Sequence, residues 1–130
     1  MKNIYIDSNE FSDFTGFLSY MATKLMLIDD ENEPLSGLDA LEDALEGGFG
    51  VFEENAKIII KWKGFRKSMV DLGYQETVRY YNEIIKTCHP SNREEVNLLL
   101  ECAKQHLGQT LFFMILEVFL DAEHTYIELF

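Results

Sequence analysis

The chain has 130 residues, 47% of them hydrophobic and seventeen of them aromatic, and its 23 acidic against 11 basic side chains give a formal net charge of −12. That length and apolar content fit one domain, 1–130, with a single core. The acidic balance speaks against direct nucleic-acid contact, which needs clustered Lys and Arg, and the longest apolar stretch, 111–116, is far too short to cross a bilayer.

The first predicted element is a strand over 2–7, where Ile4, Tyr5 and Ile6 are β-branched or aromatic. Ser12 or Asp13 caps a following helix with Phe14, Phe17, Leu18, Met21 and Leu25 on one stripe. The polar run 29–34 ends in Pro34 and reads as a loop. Ser36 or Gly37 opens a helix over 38–46, and Gly47-Gly48 stops it. The stretch 57–63, with Ile58, Ile59 and Ile60 in a row, predicts a central strand buried on both faces of a parallel sheet, with Trp62 on the face of Ile58 and Ile60. A short helix over 65–72 ends at Gly73, and 75–87 has helical spacing through Val78, Tyr81, Ile84 and Ile85. Pro90 breaks that helix. Ser91 is expected to cap the next one, with Glu94 and Glu95 in its first turn and Gly108 at its end. The segment 110–121 is almost wholly apolar, so periodicity cannot choose its type. Its Leu, Phe and Met content favours a buried helix. A closing strand over 124–130 completes an α/β layer of a small three-stranded, mainly parallel sheet packed with helices.

The charge is unevenly placed. Thirteen acids and two lysines fall in residues 1–55, against ten acids and nine cations in 56–130, and no basic residue lies between Lys24 and Lys57. Within that stretch Asp39-Ala40-Leu41-Glu42 is followed by Asp43-Ala44-Leu45-Glu46. At about 100° per residue, Asp39, Glu42, Asp43 and Glu46 share one quadrant of a helix, with Leu38, Leu41 and Leu45 on another face. Such a helix is either a solvated acidic face or a surface built to meet a basic protein.

Other chemistries find less in the sequence. Gly47-Gly48-Phe49-Gly50 runs from helix into strand and lacks a following Lys-Ser/Thr, so it is no phosphate loop. Pro34 takes the place where a calcium loop starting at Asp29 needs glycine. Cys102 and His106, with Cys88 and His89 nearby, match no familiar zinc spacing, and the two cysteines read as small buried or half-buried residues rather than a disulfide framework. No metal and no cofactor is expected. Catalytic carboxylate pairs usually project from different elements across a cleft, so Asp39 and Asp43 on one helix point away from an enzyme. Met1-Lys2 leads straight into a strand without a signal peptide, which with the free thiols predicts a cytoplasmic protein.

The run Leu38-Asp39-Ala40-Leu41-Glu42-Asp43-Ala44-Leu45, then Gly47, then Ile58-Ile59-Ile60-Lys61-Trp62, resembles the barstar family of bacterial ribonuclease inhibitors. The resemblance covers 1–87 and the last strand, with 88–109 as an extra helical insertion. It implies a barstar-like fold, no enzymatic activity and a basic nuclease as partner. The acidic helix would plug the nuclease's active site. The contact would fall on Asp39 and Asp43, with Glu42 and Glu46 beside them and Leu35, Ser36 and Gly37 in the adjoining loop. The chain departs from the family at Gly37, where Asn is usual, and at Glu42, where Trp is usual, and it lacks the family's aromatic loop residues. A different toxin nuclease, or a non-inhibitory role in binding a cationic protein, fits those departures.

Overall fold

The computed structural model describes residues 2–25, 37–45 and 57–130. Three strands, β1 (Lys2–Asp7), β2 (Ile58–Lys63) and β3 (Thr125–Leu129), form one sheet in the order β1-β2-β3. Both pairings are parallel, with Ile4 opposite Ile60 and Ile60 opposite Ile127. The helices among the described residues are α1 (Phe14–Lys24), α2 (Leu38–Leu45), α3 (Phe65–Asp71), α4 (Tyr74–Thr87), α5 (Arg93–Lys104) and α6 (Leu111–Asp121). The small α/β architecture and the central place of the triple-isoleucine strand are those expected from the sequence.

The strand order decides how the layers lie. Both crossovers step the same way across the sheet, so connections of one hand put all their helices on one face. Ile4, Ile6, Ile58, Ile60 and Trp62 are buried in one cluster with Phe17 and Met21 of α1, Leu41 of α2, and Phe112 and Phe119 of α6. The opposite face stays open: Tyr5 and Tyr126 are each 54% exposed, and Ile59 between them is only half-buried. The expectation of a strand buried on both faces is therefore corrected. The isoleucine run alternates inward and outward as any strand must, and none of the described helices covers the outward set. On that open face Lys61 lies 5.7 Å above the Tyr5 ring and 3.9 Å from the Glu128 carboxylate.

Polar groups in the core are matched. The Trp62 indole N–H donates to the Ser8 hydroxyl at 2.9 Å and the Ser68 hydroxyl at 3.1 Å, and the two hydroxyls are 2.6 Å apart. The Thr77 hydroxyl donates to the Gly73 carbonyl and accepts from the Leu111 amide at 2.9 Å, which ties the start of α6 to α4. The segment that periodicity left undecided is thus helix α6, capped by the Thr110 hydroxyl.

α4 and α5 pair around a smaller cluster of Tyr81, Val96, Leu100 and Ala103. Two details differ from expectation. Ser91 does not cap α5, because it belongs to a short 3-10 turn over Pro90–Asn92 and its hydroxyl bonds to His89 Nδ1 at 2.7 Å. α5 also ends at Lys104, before Gly108. His106 takes the left-handed conformation at φ 58°, and the Leu107 and His106 amides return to the Cys102 and Ala103 carbonyls. That bond pattern closes the helix with a histidine where glycine is usual.

Candidate functional site

α2 is fixed by its apolar side. Leu41, Ala44 and Leu45 are buried, Leu38 and Ala40 are partly buried, and the helix packs against α6. The acidic side then faces outward. Asp39 and Asp43 are exposed, whereas Glu42 is half-buried. The difference follows from helical rotation: Glu42 sits only about 40° from Leu38, and Asp39 and Asp43 lie nearly opposite the Leu41–Ala44–Leu45 stripe. Gly37 leads into the helix, its carbonyl accepting from the Leu41 amide at 3.3 Å. Leu35, Ser36 and Glu46, like the loop 29–34 and the glycines 47–50, lie outside the described residues.

None of the five ion pairs among the described residues involves α2; they are Lys61–Glu128, Lys67–Asp71, Arg79–Glu76, Lys86–Glu83 and Lys104–Glu101. Asp39 and Asp43 therefore present carboxylates with no cation of the described chain at contact distance.

Beside Asp39 a groove of about 280 Å³ opens between α1, α2 and α4, lined by Phe14, Leu18, Gly37, Leu38, Asp39, Tyr80 and Ile84. Phe14 and Tyr80 form an edge-to-face pair with ring centroids 5.3 Å apart. Burial, then the neighbouring Tyr81 and the Asp39 carboxylate, raise the Tyr80 hydroxyl above the usual tyrosine value. Asp39 thus acts electrostatically across the groove on α4.

Tyr80 and Ile84 were not foreseen as site residues, although the sequence holds a signal for them. Tyr80-Tyr81 and Ile84-Ile85 give α4 an apolar arc wider than one neighbouring helix covers. Tyr81 is buried in the smaller cluster with Val96 of α5, and Tyr80 and Ile84, which pack against that cluster, also line the groove beside α2.

Among the described residues no three potential metal ligands gather. Cys88 is half-buried and free, as expected, but Cys102 is exposed, on the outer side of α5. His106 stacks on Tyr74 with ring centroids 5.1 Å apart, and His89 bonds to Ser91 rather than to a cysteine. No described helix is long and apolar enough to cross a membrane. No protein-family model, curated protein or solved structure matches the chain.

Proposed function

We propose that the chain is a nuclease inhibitor of the immunity type, barstar-like in its use of an acidic helix, which blocks the basic active site of its partner without catalysis. One observation carries the reading: α2 is anchored in the core by Leu41, Ala44 and Leu45 while Asp39 and Asp43 stand outward without a cation of the described chain. A rigid helix that holds unpaired carboxylates loses little conformational entropy on meeting a cationic surface. Complementary charge steers the encounter, and a carboxylate buried against arginines becomes an energetic hot spot. The local motif 38–45 and the sequence of a parallel three-stranded sheet with helices on one face support the same reading.

Affinity capture from the source organism's lysate, followed by a nuclease assay on the recovered basic protein, tests it. The expected result is a nuclease whose activity falls to background at stoichiometric inhibitor, and whose inhibition is weakened by Asp39→Ala and Asp43→Ala. A basic protein that binds yet keeps its activity makes the chain a non-inhibitory interaction module. Recovery of no basic protein removes the proposal.

A further inference from the structure

Resting on the reading that α2 meets a basic protein, we propose that the groove between α1, α2 and α4 is an anchoring pocket for one arginine side chain of that partner, its aliphatic stem against Leu18 and Ile84 and its guanidinium between Asp39 and the Tyr80 ring. The volume of about 280 Å³ lies at the lower edge of what small-molecule pockets occupy, which suits a single extended side chain. The chemistry of the walls is specific. Phe14 and Leu18 are buried, and Leu38, Tyr80 and Ile84 are half-buried, so apolar surface remains to be covered. Asp39 is the one charged residue among the described residues of the lining. An apolar occupant would strip water from that carboxylate without replacing it, and an acidic one would be repelled. A cation with a long apolar stem satisfies both parts of the groove, and a planar guanidinium can also stack on an aromatic face.

The chain itself contains a related arrangement next door. A second groove of about 150 Å³ shares Phe14 and Tyr80 and is lined further by Arg79, Glu76 and Glu83. There the chain's own Arg79 lies 3.6 Å from the Glu76 carboxylate, in a groove that the same two rings line. The Asp39 side offers a carboxylate and rings of the same kind, and none of the ion pairs among the described residues reaches it.

The test is a titration of the isotopically labelled full chain, followed by amide resonances, with butylguanidinium and, at matched ionic strength, with guanidinium itself. Butylguanidinium should shift Leu38, Asp39, Tyr80 and Ile84 saturably, with a dissociation constant on the order of 10 mM for so small a ligand. Stemless guanidinium should not saturate in that range. Asp39→Asn and the groove-filling Ile84→Trp should each weaken binding by about tenfold or more, while Glu94→Gln on the exposed side of α5 should leave it unchanged within about twofold. Equal behaviour of the two probes, shifts centred on Asp43 instead of the groove, or indifference to both groove variants overturns the pocket. Those results leave the acidic-helix inhibitor intact, because that reading stands or falls on the nuclease assay. Saturable groove binding without any nuclease inhibition would separate the two in the other direction.

Discussion

The Glu76 carboxylate on α4 accepts a 2.7 Å hydrogen bond from the backbone N–H of Phe14, sixty-two residues earlier and in the first turn of α1. Helix starts leave four amides without internal partners. Here Asp13 serves the Gly16 amide at 2.7 Å and Glu76 serves that of Phe14, so one cap is local and the other tertiary. This bond also fixes Phe14, a wall of the groove, against α4. Glu76→Ala should cost about 1–3 kcal/mol, since it strands a partly buried donor next to a helix dipole. Glu76→Gln, which keeps an acceptor, should recover most of that. At roughly 3–6 °C per kcal/mol for a domain of this size, thermal melts resolve the difference. An alanine variant that melts within about 1 °C of the parent would show the bond to be dispensable.

The Trp62 indole N–H is shared between two buried hydroxyls, and this makes Ser8 and Ser68 an interdependent pair. Either serine alone can still receive the indole proton. Ser8→Ala and Ser68→Ala should therefore each cost about 1 kcal/mol, and the double variant more than their sum by about 0.5–2 kcal/mol, because only then is the N–H left bare. Trp62 is the sole tryptophan and fully buried among Phe11, Phe17, Phe112 and Phe119, so its emission reports unfolding directly. Urea melts of the four proteins close the cycle. Strict additivity would mean the hydroxyls act independently.

Local patterns in the sequence carried most of the fold. Asp13 announces α1, and the stripe from Phe14 to Leu25 names its buried face. The alternation through Ile58, Ile60 and Trp62 names the core face of β2. What escaped was relational. Ile59 reads as buried because it sits among isoleucines, yet its exposure depends on which way the crossovers step, a property of strand order rather than of any strand. The end of α5 escaped because His106 takes a backbone conformation that few non-glycine residues adopt. At the candidate site, Asp39 and Asp43 are legible from helical rotation alone. The groove beside them is not, since Tyr80 and Ile84 join it only once α4 lies beside α2.

Asp39 and Asp43 occupy opposite ends of the α2 dipole, so their variants should move stability in opposite directions. Asp39 lies in the first turn, where a negative charge meets the positive end of the helix. Asp43 lies in the last turn of Leu38–Leu45, where it meets the negative end. Asp39→Asn should lower the stability of the free protein, and Asp43→Asn should raise it, each by about 0.3–1 kcal/mol at low ionic strength and less at high salt. Chemical denaturation at two salt concentrations measures both signs. Shifts in the same direction would show that mutual repulsion, rather than the dipole, governs these carboxylates.

Alkaline titration should expose the tyrosines of α4. Burial, followed by the Tyr81 and Asp39 charges, raises the Tyr80 hydroxyl above its ordinary value of 10.0, and burial raises that of Tyr81. A group whose folded value exceeds its unfolded one contributes stability that is complete below the unfolded value and is lost as pH climbs through the folded value. Stability should accordingly be insensitive to these two residues at pH 7–9 and begin to fall above about pH 10. Tyr80→Phe should flatten part of that fall without changing the slope near neutrality. Denaturant midpoints from pH 8 upward test it, and an identical alkaline slope in parent and variant would assign the loss to other groups.

Association with a basic partner should depend on salt chiefly through its on-rate. The acids concentrated between residues 29 and 54, with no basic residue from 25 to 56, set up a field that reaches as far as screening allows. Between ionic strengths of about 0.01 M and 0.15 M the screening length falls from ~30 Å to ~8 Å. Encounter should slow by about tenfold or more over that range, while dissociation, which in the proposed complex is governed by desolvated contacts of Asp39 and Asp43, should change much less. Asp43→Ala should invert the pattern, raising the off-rate and costing about 2–5 kcal/mol of affinity if that carboxylate is buried against a cation, with little change in the salt slope. Stopped-flow mixing with the captured partner measures both rates. A flat on-rate would remove steering from the account of this surface, and an unchanged off-rate in Asp43→Ala would remove Asp43 from the contact.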